Sequence, residues 1–340
     1  MKKWMKVTLI IIVVLVGLVY FVGLPMMTKK AAHDILAYEK MTFERVLSDS
    51  IMKNEHYYIG DERSPSDYGY DSVETISFNS VYDEEIKLEG WYVHSAVSDT
   101  APCVIISHGR TSNRLKTMKF VKMFKDLGLD KKYNFFMPDY RNSGNASSAP
   151  TQLGNKFAED LTASLLIVNE KYGTKDFILY SFSMGAVATA DFMWRSDLQE
   201  KTASKNIEIQ KMIFDSPLSN VPSVIELASK KMGAYDFMVE DILENLSNEI
   251  RLPNGEEVFD KMRFSVLLKD VKQPILMLQS ENDLATPAMF LKEELDILKS
   301  KNIKAVYFDN PSNAEFTHVR MYIHHKERYE NLVKEFLTEK

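Results

Sequence analysis

The sequence predicts an α/β fold with a mostly parallel central sheet and helices on both faces. Two observations lead to this class: strand-like and helix-like segments alternate after residue 70, and residues 103–107 form a short continuous apolar run. Such a run is typical of a central strand buried on both faces, and alternation of this length indicates a parallel sheet. We predict strands at residues 73–79, 85–94, 103–107, 134–137, 177–180, 209–214, 275–278 and 305–308. We predict helices at residues 115–127, 157–170, 186–194, 291–299 and 319–337.

Composition limits the class of protein. A chain of 340 residues, 45% hydrophobic and 26% charged, is long enough for one large domain plus an appendage and is not typical of a disordered protein. The formal net charge of -6 argues against a nucleic-acid partner. The single cysteine, Cys103, excludes an internal disulfide framework and a cysteine cluster for a metal. It lies in the apolar run, so we expect a buried thiol.

The amino-terminal segment differs from the rest of the chain. Lysines precede and follow residues 7–24, which carry no charge. About 20 apolar residues cross a bilayer as a helix. A cleaved signal peptide is the alternative, but its apolar region is usually shorter and ends in an Ala-x-Ala-like site. We therefore predict a single-pass membrane anchor at residues 1–30, a helical and loop linker at 31–70, and the large domain at 71–340. The positive-inside tendency favours an extracytoplasmic domain.

Within the large domain the alternation stops between about residues 218 and 271, where the sequence is helical. This stretch lies between two predicted core strands, so we expect an insertion above the sheet. Apolar residues recur there at helical spacing, at Met232, Phe237, Met238, Ile242 and Leu246. They either line a lid over a site or pack the helices onto the sheet.

The strongest motif is Ser181-Phe182-Ser183-Met184-Gly185, which joins the strand at 177–180 to the helix at 186–194. A small-x-Ser-x-Gly turn between a strand and a helix is the context that a nucleophile elbow needs. The turn raises the serine hydroxyl above the strand end, and the helix N-terminus faces developing negative charge. An ordinary strand-to-helix turn is the alternative.

With this turn, the sequence resembles the α/β-hydrolase superfamily from roughly residue 73 to the carboxyl end, particularly its single-pass esterase-like and prolyl-peptidase-like members. The resemblance implies that Ser183 is the nucleophile. One departure is Ser181, which replaces the usual first glycine, and a glycine-compatible backbone angle there would be costly for serine.

Residues 104–110 resemble the family's strand followed by a His-Gly turn. The resemblance implies an oxyanion hole made by the backbone N–H groups of Arg110 and Met184. We expect His108 to hold the loop. The Arg110 side chain either binds an anionic substrate group or points to solvent. Residues 134–144 resemble the family's Asp-x-Arg-x-x-Gly loop, so we interpret Asp139 and Arg141 as a structural ion pair or a loop brace.

The resemblance also implies an acid after a late strand. Asp283, which follows the strand at 275–278, matches the family position. The neighbouring Glu281 is an alternative. Asp215 is interpreted as part of a structural turn.

The expected base follows the last strand. His318, with Tyr322 four residues later, matches the family pattern, whereas His324 and His325 are expected on a helix surface. The chain order Ser183, Asp283, His318 is the order that this fold uses.

Together these residues predict a carboxylic-ester hydrolase that forms an acyl-enzyme and acts on acyl or lipid-like small molecules. A peptidase or an acyltransferase would use the same residues. A catalytically inactive hydrolase fold that serves as a binding protein is the alternative from another class. We expect neither a metal nor an organic cofactor, and the sequence leaves the oligomeric state open.

Overall fold

The computed structural model describes residues 17–48, 62–95, 98–309 and 318–339, together with Thr8, Ile12 and Leu15. Most of the predicted membrane segment before residue 17, and residues 49–61 of the predicted linker, lie outside the described residues. Among those that are described, we find no helix with both the length and the apolar character needed to cross a membrane.

Within the described residues, eight strands form one sheet in the order β1-β2-β4-β3-β5-β6-β7-β8. The strands β1 to β8 are Val73–Asn79, Lys87–Val93, Cys103–Ser107, Asn134–Asp139, Asp176–Phe182, Glu208–Asp215, Ile275–Ser280 and Ile303–Phe308. β1 and β2 are antiparallel to each other, β2 is antiparallel to β4, and the remaining pairs are parallel. The predicted class and the position of every predicted strand are therefore confirmed.

The helices cover both faces of the sheet. α1 to α12 are Leu24–Leu36, Phe43–Ser48, Arg114–Asp126, Asn155–Tyr172, Met184–Trp194, Ser196–Ala203, Val221–Lys231, Asp236–Glu249, Phe264–Leu267, Ala288–Leu298, Met321–His324 and Lys326–Thr338. A π-helical turn at Val19–Gly23 precedes α1, and 3-10 turns occur at Pro65–Tyr68, Gln152–Gly154 and Phe259–Lys261. The helix predicted at 319–337 is divided into α11 and α12 at His325, and α6 was not predicted.

Side chains that alternate along the central strands build the two halves of the core. In β3, Cys103 and Ile105 pack with α4, α5 and α10 on one face. Val104 and Ile106 pack with α3 and α12 on the other face. Because both faces are covered, every residue of β3 is buried, which explains the continuous apolar run in the sequence.

A third cluster joins the amino-terminal helix α1 to the segment between β6 and β7. Ala32 and Leu36 of α1 pack with Ile242 and Leu246 of α8. The apolar stripe predicted in this segment is thus divided, because Met232 is 89% exposed while Ile242 and Leu246 are buried. Packing accounts for the buried part of the stripe.

Candidate active site

Ser183 occupies the sharp turn between β5 and α5. Its backbone has φ +52° and ψ -119°, a conformation that L-residues rarely adopt. A backbone in such a region costs about 1–3 kcal/mol and persists only where the surroundings enforce it. Here the Ser183 amide donates to the Asp215 carbonyl at 3.0 Å, and its carbonyl accepts from the Ala186 amide at 3.0 Å. The predicted turn therefore has the strained geometry of a nucleophile elbow.

Two glycines allow neighbouring backbone to approach this turn. A Cβ atom on Gly185 would lie 2.6 Å from the His108 carbonyl oxygen, and one on Gly109 would lie 2.9 Å from the Ser183 Cβ. Larger residues at either position would push the Gly109 loop away from the serine. The Gly109 loop and the Ser183 turn approach each other so closely that both motifs need glycine at these positions.

Ser181 does not need a glycine-like backbone. It lies within β5, pairs with Ser107 of β3, and exchanges a 2.7 Å hydrogen bond with the Thr189 hydroxyl. The backbone cost expected for serine at this position is therefore absent. Ser181 is buried, and its hydroxyl is satisfied by Thr189.

Asp283 and His318 form a close pair. Asp283 Oδ2 lies 2.8 Å from His318 Nδ1. The other carboxylate oxygen, Oδ1, accepts from the backbone amides of Ala285 at 2.8 Å and Thr286 at 2.9 Å, and the Thr286 hydroxyl donates to Oδ2 at 3.0 Å. The carboxylate is thus fixed on both sides and aimed at the imidazole.

The protonation of this pair follows from its surroundings. Burial alone would raise the pKa of Asp283, but the charge and hydrogen bond of His318, with the amides of Thr286 and Ala285, lower it below its usual value. An ionised carboxylate can only accept, so Nδ1 of His318 carries the proton and Nε2 is left with its lone pair. Burial lowers the pKa of His318, but Asp283, with a smaller contribution from Asp215, outweighs burial and raises it.

Ser183 and His318 line the same cavity, which encloses about 150 Å³. Its described lining is His108, Gly109, Arg110, Thr111, Ser112, Lys116, Thr117, Lys119, Phe120, Phe182, Ser183, His318 and Val319. Asp283 lies behind His318, and Met184 follows Ser183 as the first residue of α5; neither is in this described lining. The structure therefore brings the predicted nucleophile, base and acid to one edge of the sheet, where β3, β5 and β7 end.

Comparisons with known proteins agree with this architecture. No family model matches the chain. The Pyrococcus furiosus esterase Pf2001 superimposes with a TM-score of 0.60 at 21% identity, over 82% of this chain and 96% of that chain. The alpha/beta hydrolase GrgF from Penicillium sp. sh18 superimposes with a TM-score of 0.52 at 14% identity, over 78% and 98% of the two chains. This chain has the α/β-hydrolase fold.

By sequence, the chain is similar to the uncharacterized protein YqkD of Bacillus subtilis (strain 168). The two are 24% identical over 330 residues, which cover 97% of this chain and 94% of that protein. The likeness thus extends over nearly the whole of both chains.

In this α/β-hydrolase fold the loop after β3 is held by His108. Its Nε2 accepts from the Tyr140 amide at 3.0 Å, so its Nδ1 carries the proton and donates to the Gly109 carbonyl at 2.8 Å. Burial lowers the pKa of His108, which keeps the ring neutral. These contacts agree with a role in holding the loop.

The Arg110 side chain lines the cavity and is held by the protein rather than pointing to solvent. Its guanidinium donates to the Ile35 carbonyl at 2.7 Å and lies 4.7 Å from the centre of the Tyr38 ring. Arg110, which lines the cavity beside Gly109, is therefore tied to the carboxyl end of α1. Sequence spacing alone gives no sign of this contact, because 75 residues separate the partners.

Asp139 and Arg141 do not pair with each other, so the ion-pair form of that prediction is wrong. Arg141 donates to both carboxylate oxygens of Asp160 on α4, with a shortest distance of 2.7 Å. Asp139 faces Arg114 at the start of α3, with its Oδ2 3.1 Å from Nη1. Each buried charge takes a partner from another element, and both residues act as loop braces.

The Asp215 turn holds the backbone next to His318, a feature that the sequence did not suggest. The Ser216 hydroxyl donates to Asp215 Oδ1 at 3.0 Å and accepts from the Val319 amide at 2.9 Å. Tyr329 donates to the other carboxylate oxygen of Asp215 at 2.6 Å. Burial raises the pKa of Asp215 to about 6. In the sequence, the only sign of this contact is the Asp-Ser-Pro turn at the end of β6.

The alternative acid and bases are placed elsewhere. Glu281 forms an ion pair with Lys292 at 2.7 Å. His325 Nε2 donates to the Asp309 carbonyl at 2.8 Å, and His324 lies at the end of α11. None of these three is among the described residues that line the cavity.

Proposed function

We propose that this protein is a serine hydrolase that cleaves a carboxylic ester through an acyl-enzyme on Ser183. The observation that carries the proposal is the 2.8 Å pair of Asp283 and His318, with His318 lining the same cavity as the strained Ser183. A serine hydroxyl is a weak nucleophile unless an adjacent base activates it, and an oriented histidine is the usual base.

In the proposed reaction, His318 Nε2 takes the proton of Ser183 as Oγ attacks the ester carbonyl carbon. The carbonyl oxygen becomes an oxyanion, which the backbone N–H groups of Arg110 and Met184 stabilise. Loss of one such donor typically costs about 3–4 kcal/mol. The imidazolium then protonates the leaving alcohol, and the acyl group remains on Ser183.

Water completes the cycle. His318 takes a proton from water, which attacks the acyl carbon, and the proton returns to Ser183 as the acid is released. Asp283 keeps the imidazole in the Nδ1–H tautomer and stabilises its charged form throughout. The structural similarity to the Pyrococcus furiosus protein, which is an esterase, supports the ester class. We extend the proposal to acyl or lipid-like esters.

The amino-terminal segment belongs to the same proposal. An uncharged stretch at residues 7–24 with lysines on both sides supports a single-pass anchor with the hydrolase domain outside the cytoplasm. Fractionation of the full chain should place it in the membrane pellet after alkaline carbonate washing. External protease should then cleave the domain in intact cells. Recovery of the full chain in the carbonate supernatant would contradict the anchor.

The test of the enzyme is labelling with a fluorophosphonate, which reacts with an activated serine. We expect the wild type to be labelled, Ser183→Ala to be unlabelled, and His318→Ala and Asp283→Ala to label slowly. Ser181→Ala is the matched control, because Ser181 is a buried neighbour bonded to Thr189 and should keep labelling. A folded wild type that resists the label would instead favour a binding protein. Paired ester and amide substrates then separate an esterase from a peptidase.

A further inference from the structure

The turn between α7 and α8 exposes a cluster of large apolar side chains. Met232 is 89% exposed and Tyr235 is 71% exposed, and Phe237 is exposed as well. The rings of Tyr235 and Phe237 stack, with their centres 6.1 Å apart and an angle of 5° between their planes. Single exposed apolar residues are ordinary, but an exposed cluster marks a surface that contacts a partner or a membrane. We call residues 232–237 the apolar tip; none of them is among the described residues that line the cavity beside Ser183.

The apolar tip lies at the amino end of a parallel pair of helices. α1 and α8 pack together through four buried apolar residues: Ala32, Leu36, Ile242 and Leu246. The loop after β3 binds the carboxyl end of α1, since Arg110 donates to the Ile35 carbonyl at 2.7 Å. The loop after β4 binds the carboxyl end of α8, since Gln152 donates to the Glu249 carbonyl at 3.2 Å. Because β3 and β4 are parallel neighbours, both loops leave the same edge of the sheet. The two helices therefore run in the same direction, and since they have 13 and 14 residues, their amino ends are level.

The amino end of α1 is the point at which the uncharged stretch of the sequence ends. Residues 7–24 carry no charge, Leu24 is the first residue of α1, and Lys29 and Lys30 follow. Four large apolar side chains around this point are also exposed: Tyr20, Phe21, Met26 and Met27. Aromatic residues and flanking lysines of a membrane-spanning segment mark the level of the membrane–water interface. The apolar tip therefore lies at the level where the proposed anchor would leave the bilayer.

From the exposure of the apolar tip and its level beside α1, we infer that it inserts into the interface of the bilayer that holds the anchor. This inference rests on the proposed anchor and adds a second attachment to it. Met232 and Phe237 enter the boundary between headgroups and acyl chains. Tyr235, with an apolar ring and a polar hydroxyl, lies at the headgroup level.

A bilayer fits the apolar tip better than a second protein does. Its two aromatic side chains bury about 150–250 Å² each when they are covered, whereas a stable protein interface takes about 800 Å² from each partner. Charge does not favour an anionic partner, because Lys230 pairs with Glu226 at 2.8 Å and with Asp236 at 3.2 Å. The insertion is therefore driven by apolar surface and needs no anionic lipid.

The second attachment fixes the height of the cavity above the membrane. At about 1.5 Å per residue, Ile35 lies roughly 17 Å from Leu24 along the axis of α1. Ile35 in turn holds Arg110 at the cavity. One anchoring helix allows the domain to tilt, whereas two contacts at the same level restrain that tilt. The cavity is thus kept near the interface, where esters with long acyl chains reside.

The test measures the depth of the apolar tip with a fluorescent label. The single cysteine, Cys103, is buried, so the thiol introduced by Met232→Cys can be labelled alone with nitrobenzoxadiazole. The labelled full chain is reconstituted in phosphatidylcholine vesicles, with and without a lipid that carries a nitroxide near the top of its acyl chain. We expect the nitroxide lipid to remove roughly half of the emission, because interfacial segments are buried by about 5–10 Å. Raising the salt concentration should leave this quenching unchanged, since apolar contacts are not screened.

Ile297→Cys is the matched control for the position of the label. Ile297 is also an exposed apolar residue, and it lies at the end of α10. This end of α10 leads into the amino end of β8, at the edge of the sheet opposite Ser183. A label there lies outside the interfacial layer of about 5–10 Å, so the nitroxide lipid should remove less than about a tenth of its emission.

A second variant assigns the insertion to the stacked rings. Tyr235→Ser/Phe237→Ser, introduced together with Met232→Cys, should reduce the quenching by about threefold or more, because it removes most of the apolar surface of the tip. Both side chains are exposed, so the fold should be retained, and circular dichroism verifies this.

The outcomes separate this inference from the proposals on which it rests. Equal and weak quenching at positions 232 and 297 overturns it, as does quenching that the double serine variant leaves unchanged. Emission at position 232 that shifts with protein concentration but resists the nitroxide shows that a second copy covers the tip, which also overturns it. Fluorophosphonate labelling of Ser183 and carbonate washing test the hydrolase and the anchor separately. A chain that carbonate removes but that is quenched at position 232 keeps the tip contact and loses the anchor. If the serine variant fails to fold, the two labelled positions still decide.

Discussion

Replacing Asp283 by asparagine isolates the contribution of one charge to the proposed reaction. The side chain keeps its shape, and its remaining oxygen can still accept from the amides of Ala285 and Thr286, which bind Oδ1. The new amide nitrogen would then take the place of Oδ2 and face His318 Nδ1, which lies 2.8 Å from Oδ2 in the wild type. An N–H group there favours the tautomer with the proton on Nε2, which cannot accept a proton from Ser183.

The magnitude follows from the geometry. Two unit charges about 4 Å apart interact by about 4 kcal/mol at an effective dielectric constant of about 20. Losing that interaction with the imidazolium of the transition state lowers the rate about a thousandfold, since each 1.36 kcal/mol is a factor of ten. The tautomer change adds to this loss. We therefore expect kcat for Asp283→Asn to fall by roughly 10³–10⁴-fold, the range that a triad carboxylate gives elsewhere.

The assay is the steady-state hydrolysis of 4-nitrophenyl acetate, with circular dichroism to verify that each variant is folded. Glu281→Gln is the matched control, because Glu281 is a carboxylate two residues away that pairs with the exposed Lys292. Its rate should stay within about threefold of the wild type, as expected for an exposed ion pair. A folded Asp283→Asn variant with at least a fifth of wild-type activity would refute the role of the carboxylate.

Other perturbations test strain, protonation and the loop brace. Ser183→Gly should unfold in urea with a free energy about 1 kcal/mol higher than Ser183→Ala, because glycine relieves the strained backbone at φ +52°; equal stabilities would contradict that strain. The pH profile of kcat/KM should rise through a midpoint above 6.5, the ordinary histidine value, because the pKa of His318 is raised and the base must be neutral. Asp283→Asn should move this midpoint to lower pH. An unchanged midpoint would show that a group other than His318 controls the rise of kcat/KM with pH. Arg141→Met should lower the free energy of unfolding by about 3–5 kcal/mol, since it leaves the buried Asp160 unpaired; a urea midpoint close to that of the wild type would show that the pair is dispensable.

The fold was predictable because its signals are local. Successive residues of β3, such as Val104 and Ile105, point to opposite faces, and both faces are buried, so an uninterrupted apolar run marks a central strand. Ser183 was predictable for the same reason, since its strand, turn and helix are contiguous. Local sequence patterns are sufficient to predict a structural element when the residues that form it are contiguous in the chain.

The contacts that hold the site were not predictable because they join distant parts of the chain. Tyr329 donates a hydrogen bond to Asp215, which is 114 residues away in the chain. Arg141 pairs with Asp160 although Asp139 is nearer in sequence. Such choices depend on which side chains the completed sheet brings together. The stripe on α8 shows the same limit, because periodicity identified an apolar face but could not show that α1 would cover Ile242.

The seating of α1 on α8 decides where the polypeptide can be shortened for expression. Removing residues 1–30 would delete the first half of the helix, including the buried Thr28. Starting at residue 37 would also strip Ala32 and Leu36 from the apolar surface of α8 and take away the carbonyl that receives Arg110. A recombinant form intended for crystallisation should therefore begin before Leu24, so that α1 still covers the apolar face of α8 during purification.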